Sequence, residues 1–465
     1  MSELERIFQL QRHAYLRQPV PVLARRRADL KQLRRFIVAN QDAICEAIDQ
    51  DFGHRSRHET LMSDIMPTLL GIDHALKNLA KWMRPQRREV DWRLFPGARN
   101  RVLPQPLGVV GIMVPWNFPV FLSLGPLTSA LAAGNRAMVK MSEHSSSLAA
   151  LLIDKMPLYF PPEKVQFFAE TGDIGPAFSR LRWDHLFFTG SSRVGKVVMR
   201  AAAENLCPIT LELGGKTPAV ICPDFPVDVA AERIMFVKQL NAGQVCVSVN
   251  HVWIEQRSVQ AFVSAARTFA QRSYAALMSP DYTAIISRHA FERLVRALDE
   301  ARSRGATVIA LLDGPALDIE NKKIAPHIVL NAPEDCALIQ EEIFGPILPI
   351  RTYQSLDQVI ESTNAGERPL AFYPFSHDRH TVQKLLVHVM SGGVGVNNAL
   401  FHVAQNDLPF GGVGSSGMGQ SQGQAGFATF SKMRPVFYQS PLDTTWLFRP
   451  PYGRLIEGLL KFFTR

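Results

Sequence analysis

The chain has 465 residues, 46% of them hydrophobic and 20% charged. That is ordinary for a folded protein, predicts two or three domains at roughly 150 residues each, and excludes disordered, collagenous and low-complexity classes. Lys and Arg number 51 against 42 Asp and Glu, leaving a formal charge of +9 that raises the question of an anionic partner.

The N-terminal MSELERIFQLQRH is charged throughout and lacks the apolar core of a secretory signal. After Pro21, the cations Arg25, Arg26, Arg27, Lys31, Arg34 and Arg35 interleave with Leu23, Leu30, Leu33, Phe36 and Ile37 at helical spacing. This predicts a helix with a solvated basic face. No aromatic residues alternate with the charges to stack on bases, so no nucleic acid is expected as partner. DAICEAIDQDFG reads as a further helix ended by Gly53. His54 and His58 stand four apart but lack a third ligand motif, and are read as surface histidines rather than a metal site. EVDWRLFPGARNRVLPQP, ending at 106, has the polar, aromatic and Pro/Gly-punctuated texture of an extended hairpin leaving the domain.

From residue 107 short apolar runs alternate with helical segments: LGVVGIMVP, RAMVKM, VQFFAE, DHLFFTG and PITLEL as strands, with helices between them. Such alternation implies right-handed βαβ crossovers and an open parallel sheet, which binds ligands at the carboxyl ends of its strands. A second α/β stretch begins at PAVICP near 218 and runs to about 410. The late segment GFATFSKMRPVFYQS is expected to pair with the arm of a second subunit. RLIEGLLKFFTR is expected to dock as a terminal helix. No window approaches 18 uninterrupted apolar residues, so no integral membrane segment is expected.

Residues Gly190-Ser191-Ser192-Arg193-Val194-Gly195-Lys196-Val197 follow a strand and open a helix, in the G-x-x-x-x-G-K spacing of a phosphate loop. Val197 stands where an ATPase needs a hydroxyl for Mg²⁺, which argues against that chemistry; the helix N-terminus still suits a pyrophosphate. The Gly411–Gly419 cluster lacks the G-x-S-x-G pattern of a nucleophile elbow. The five cysteines, at 45, 207, 222, 246 and 336, are sparse and odd in number, which argues for a reducing, cytoplasmic setting. Cys246 lies in LNAGQVCVSVN, a polar, Gly-containing turn, and is a candidate nucleophile or an inert small hydrophobe. Glu212 ends PITLEL ahead of a glycine pair, either a site carboxylate or a turn cap. Asn117 lies between two prolines in VPWNFP, an amide donor or a plain turn residue.

These residues carry a resemblance. PWNFP (115–119), KMSE (140–143), FTGS (188–191), LELGGKTP (211–218), GQVC (243–246), EEIFGP (341–346) and LPFGGVGSSGMG (408–419) occur in one order. Together they resemble the aldehyde dehydrogenase superfamily over essentially the whole length. KMSE and the tail resemble its dimeric class-three branch, and within it the coniferyl-aldehyde dehydrogenases.

The resemblance implies two open parallel-sheet α/β domains with a small β oligomerisation arm. Residues 1–85 and 107–210 would bind the dinucleotide, 211–414 would be catalytic, and 86–106 with 415–465 would bridge subunits of a homodimer. It implies oxidation of a small aldehyde, aromatic such as coniferyl aldehyde or medium-chain, with NAD or alternatively NADP. Cys246 would be the nucleophile, Glu212 the water-activating base and Asn117 an oxyanion donor. Trp116, Lys140, Glu143, Gly190, Ser191, Gly195, Glu342 and Phe344 would contact the cofactor, and no metal is implied. The alternatives are a CoA-acylating enzyme, against which Glu212 argues, and a non-catalytic nucleotide-binding protein on the same scaffold. The chain departs from the branch at Val247-Ser248-Val249-Asn250, at Phe118 where Tyr is common, and at Gln420-Ser421-Gln422 where a Tyr-His pair is usual.

Overall fold

Five apolar runs between 109 and 212 become the parallel strands Val109–Met113, Arg136–Lys140, Val165–Phe168, His185–Thr189 and Ile209–Glu212 of one sheet in the computed structural model, which describes residues 1–464. Period-two alternation sends Val110 and Ile112 into one core with Leu30, Leu33 and Phe36. Val109 and Met113 enter another with Phe8, Phe178 and Trp183. Both faces are therefore covered, as a parallel sheet requires. Gly111 is needed here, because a Cβ would stand 2.7 Å from the Trp183 ring.

The chain builds this sheet outward through its first three strands, then returns to place His185–Thr189 on the other side of Val109–Met113. The loops after those two central strands diverge and leave a crevice at the reversal, the expected ligand position. Asn117 follows one strand and Gly190 the other. On the far edge, Gly417–Met418 pairs antiparallel with Ile209–Glu212, Gly417 opposite Glu212.

A second sheet of seven strands runs from Thr307–Ala310 at one edge through His327–Leu330, Ile347–Thr352, His251–Ile254, Pro218–Ile221 and Ala371–Phe375 to Gly393–Val394. Every pair is parallel except the first. Its core gathers Ile234, Val237, Val252, Phe262, Leu294 and Ile328.

Two expectations are corrected. The segment Ser431–Tyr438 pairs antiparallel with Arg99–Pro106 of its own chain, register Ser431 to Pro106 through Tyr438 to Arg99, forming a three-stranded arm with Gln86–Arg88. The contact expected between subunits is thus made within one chain. The basic run is also not uniformly solvated. Arg26 is 1% exposed, its guanidinium donating to Pro21, Ala132 and Ala133 carbonyls. The latter two end the helix Phe121–Ala133, whose C-terminal dipole favours a cation. Periodicity places Arg26 on the helix without showing that a neighbouring helix ends above it. The C-terminal helix Arg454–Phe463 buries Ile456 while Leu455, Leu460 and Phe462 stay exposed. No helix among the described residues is long and apolar enough to cross a membrane.

Candidate active site

The helix Val227–Gln239 stops abruptly, and Asn241, Ala242 and Gly243 follow with φ of 52°, 50° and 73°. Consecutive left-handed residues, two bearing a Cβ, persist only where surroundings over-determine them, at about 1–3 kcal/mol each. Here they are over-determined. The Asn241 amide donates to the Asn117 and Gln244 carbonyls at 3.1 and 3.2 Å. The Gln244 amide donates to Asn241 and Ala284 carbonyls and accepts from the Ile286 N–H, each at 3.0 Å. A Cβ on Gly243 would lie 2.3 Å from the Gly345 carbonyl, so only glycine fits against the 342–345 loop. This turn delivers Cys246. Asn117 Nδ2 donates to the Gln244 carbonyl at 3.2 Å, tying the PWNFP loop to it.

Behind both loops lies a buried acidic segment. Glu59 accepts from the Asn241 N–H at 3.0 Å and from the Thr283 hydroxyl at 2.6 Å. Five residues on, within the π-helical turn Leu61–Ile65, Asp64 accepts from the Val120 and Phe121 N–H groups at 3.0 and 2.9 Å. Asp64 pairs with Arg55 at 3.0 Å, both side chains 0% exposed. The Arg55 guanidinium sits 5.1 and 5.2 Å from the Phe52 and Phe118 ring centroids. The sequence gives no sign of these roles, since Glu59 and Asp64 reach hydrogen-bond partners 56 to 224 positions away.

Glu212 ends its strand with the carboxylate buried. Oε1 accepts from the Ser421 hydroxyl at 3.2 Å, while Oε2 has no partner. Burial pushes its pKa well above the ordinary 4.5. Thr189 is its in-register strand neighbour, and its buried hydroxyl is likewise unpartnered. Of the five cysteines only Cys246 is not fully buried as a residue. Its thiol is nonetheless pushed up to about 12, chiefly by desolvation and then by the charges of Glu342 and Glu212.

Cys246, Glu212 and Ser421 share a cavity of about 240 Å³ with Phe118, Phe121, Phe401 and Phe410 in its walls. Met62, Met66, Leu70, Phe236 and Leu240 also line an adjoining, wider apolar groove of about 860 Å³.

On the crevice side, Ser191 caps the helix Ser192–Ala203 by accepting from the Val194 N–H at 3.4 Å. A Cβ at Gly190 would meet the Phe188 ring at 2.6 Å, and one at Gly195 the Leu213 side chain at 2.7 Å. Both glycines therefore serve close helix–sheet packing and leave the N-terminal N–H groups open to an anion. Lys140 ends its strand paired with Glu170 at 2.5 Å, a partner the sequence did not reveal. Glu143 accepts from Ser142 at 3.0 Å; burial raises its pKa, but its own backbone N–H, Ser142 and nearby His144 and Lys140 outweigh this and hold it below the usual value.

Glu342 lies against Gly214, where a Cβ would be 2.0 Å from Oε2. Burial pushes its pKa up to about 7, offset by the Gly215 N–H and the charges of Arg293 and Lys238. Phe344, at φ 48°, meets Trp116 edge to face at 5.4 Å, and Trp116 in turn faces His144 at 6.3 Å. Asn250 accepts from the Ile343 N–H at 2.9 Å, which binds the post-nucleophile segment to the Glu342 loop. The structure thus brings Cys246 and Glu212 to one cavity and ties buried Asn117 to the turn that carries Cys246. Gly190, Ser191 and Gly195 lie at the helix start and Trp116 with Phe344 between the sheets. Lys140 and Glu143 stand along the neighbouring strand end.

The model of the aldehyde dehydrogenase family matches residues 15–436. A probable coniferyl aldehyde dehydrogenase of Pseudomonas aeruginosa is 47% identical over 467 residues, covering 100% of this chain and 97% of that protein. A coniferyl aldehyde dehydrogenase of Pseudomonas sp. (strain HR199) is 42% identical over 453 residues, covering 96% and 93%. The substrate-bound structure of Staphylococcus aureus AldH superposes with a TM-score of 0.94 at 32% identity, covering 100% of both chains. Fold, motifs and relatives agree: the chain belongs to the aldehyde dehydrogenase family and is an oxidoreductase acting on aldehydes.

Proposed function

We propose that the protein oxidises an aromatic aldehyde, coniferyl aldehyde foremost, to its carboxylic acid with NAD(P)⁺, using Cys246 as nucleophile, Glu212 as base and Asn117 as oxyanion donor. One observation carries this: Cys246 and Glu212, from separate elements, line a single cavity with phenylalanine walls, and Asn117 is hydrogen-bonded to the turn that delivers Cys246. The names of the relatives at 47% and 42% identity support the substrate.

The crevice fits a dinucleotide. Open N–H groups at the capped helix suit a pyrophosphate, the Glu342 carboxylate suits a ribose hydroxyl, and the Trp116–Phe344 pair offers flat apolar surface to a ring. Ser191, Gly190 and Gly195 would hold the phosphates, Lys140 and Glu143 the adenosine ribose, Glu342 the other ribose, and Trp116 with Phe344 would border the ring. The bound cofactor supplies the hydride acceptor. Lys140 is already neutralised by Glu170, and Glu143 adds another carboxylate, so the rim repels a 2′-phosphate and NAD is favoured.

Cys246 gives up its thiol proton to solvent and adds through sulfur to the aldehyde carbon, the C=O π pair moving onto oxygen. An amide nitrogen has two N–H donors, and Asn117 has spent one on Gln244; the other, with the Cys246 N–H, holds the oxyanion of the thiohemiacetal. Hydride loss leaves a thioester on Cys246. Glu212 then takes a proton from water, whose oxygen attacks the thioester carbon; the C–S bond breaks, the acid leaves, and Glu212 returns the proton to the Cys246 sulfur. A carboxylate with one vacant lone-pair edge facing the cavity is placed for that task.

The free-standing arm and its open edges support a homodimer, which light scattering on the purified protein measures. Five unpaired cysteines fit a reducing cytoplasm. The deciding experiment is kcat/KM for aromatic, furan and aliphatic aldehydes with NAD and NADP. Preference for a hydroxylated cinnamaldehyde with NAD is expected; equal rates on short aliphatic aldehydes would overturn the substrate.

A further inference from the structure

We propose that Ser421 is the positioning residue of the base, its hydroxyl holding Oε1 so that Glu212 keeps the same partner both as carboxylate and as acid while Oε2 is left for water. This rests on Glu212 acting as the base. Ser421 Oγ lies 3.2 Å from Glu212 Oε1 and 3.3 Å from the Phe410 carbonyl. A hydroxyl has one donor and two acceptor sites. Beside an ionised Glu212 it donates to Oε1. Once Glu212 has taken a proton from water on its unpartnered Oε2, Oε1 still accepts from Ser421, and the Phe410 carbonyl stands as the hydroxyl's alternative acceptor. No bond to serine is made or broken, and the carboxyl keeps its orientation through each hydrolysis.

The backbone holds the hydroxyl where both acceptors are in reach. Ser421 and Phe410 exchange N–H···O bonds of 2.6 and 3.0 Å. Gln422, at φ 69°, ties its amide to the Val403 carbonyl at 3.1 Å, and Gly423 at φ 48° leaves no room for a Cβ beside the Asn406 carbonyl. The turn is therefore fixed on both sides of Ser421. The residue is 9% exposed and is the side chain that hydrogen-bonds Glu212 among the described residues. The departure at Gln420-Ser421-Gln422 thereby acquires a role. A large side chain at 421 would occupy cavity space; serine fills little of it and supplies a hydroxyl.

The groups facing Glu212 are few. Across the cavity stands the Cys246 thiol, and on the adjacent strand the neutral Thr189. Burial raises the Glu212 pKa, and the Ser421 hydroxyl opposes that rise.

The test uses full-length enzyme acylated by p-nitrophenyl acetate, in which a nitrophenolate burst reports acylation of Cys246 and the following steady rate reports deacylation. Ser421→Ala is expected to keep the burst, to slow the steady rate about tenfold and to move the acid limb of its pH profile up by about one unit. Ser421→Thr should restore both. Wild-type rate and limb in Ser421→Ala, or equal impairment of the Ala and Thr variants, would overturn the proposal. Glu212→Gln separates the two claims. A slowed steady rate there, with Ser421→Ala unaffected, sinks only the role of Ser421; an unslowed rate sinks the base and the proposal together.

Discussion

The two sides of the cavity are built on opposite plans. On the nucleophile side, each amide N–H of Asn241 and Gln244 is spent on a carbonyl, and Glu59 clamps the turn from behind. On the base side, Glu212 Oε2 and Thr189 Oγ1 are buried with no partner. Saturated donors fix the turn even though the Asn241 Oδ1 acceptor stays unpartnered, whereas a buried carboxylate oxygen and hydroxyl without partners cost free energy until a ligand or water completes them. The contrast tells the two roles apart: the sulfur must be aimed, and the carboxylate must keep a lone pair vacant for water.

The sharpest way to break this contrast is at the sulfur. Cys246→Ala should abolish aldehyde-dependent formation of reduced cofactor, a loss of more than about 10³-fold, while cofactor still quenches tryptophan fluorescence. Retained turnover would remove Cys246 from the chemistry. Next comes the base. Glu212→Gln should leave the first-turnover burst and lower the steady rate by about 10²-fold; a lost burst would mean that Glu212 also serves the first step.

The clamp gives a smaller effect, read in stability as well as rate. Glu59→Ala leaves the buried Asn241 N–H and Thr283 hydroxyl unpaired, at about 2–3 kcal/mol in denaturant unfolding. Glu59→Gln retains an acceptor for Asn241 and should lose less. If both variants melt like the parent, the turn does not depend on Glu59.

Alkylation tests the electrostatics. Burial pushes the Cys246 thiol to about 12, so the thiolate fraction at neutral pH is small and grows about tenfold per unit as pH rises. Iodoacetamide labelling of the cofactor-free enzyme should climb without a plateau from pH 7 to 10; a plateau near 8 would contradict the burial. The smallest effect belongs to Ser191→Ala, which removes a helix cap worth about 1 kcal/mol and should raise the KM for the dinucleotide a few-fold with kcat nearly unchanged.

Much of this was legible in the sequence for a local reason. Strands such as His185–Thr189 and helices such as Ser192–Ala203 declare themselves by apolar period and by the residues that cap them, and the motif order placed Cys246, Glu212 and Asn117 as candidates. What escaped is long-range. Arg26 looks like its neighbours until a helix end is found above it. Glu59, in a stretch that reads as surface, reaches Asn241 across 182 positions. Ser421 bonds Glu212 across 209 positions, and nothing in GQSQG foretells that contact. The arm strand Ser431–Tyr438 was legible as a strand, but its partner was a matter of topology.

The edge strand Gly417–Met418 bears on how the enzyme is made. It lies beside Ile209–Glu212, with Gly417 packed so close that a Cβ would stand 2.2 Å from the Leu211 carbonyl. Synthesis runs from the N-terminus, so the sheet bearing Glu212 leaves the ribosome some two hundred residues before the segment that closes its edge and brings Ser421 to the base. Until then the base lies on an open strand edge, wetted by solvent and exposed to pairing with other nascent chains. A nascent chain halted before residue 417 holds cysteine, carboxylate and amide yet lacks the wall that makes them a site, so catalytic competence arrives only with completion of the polypeptide.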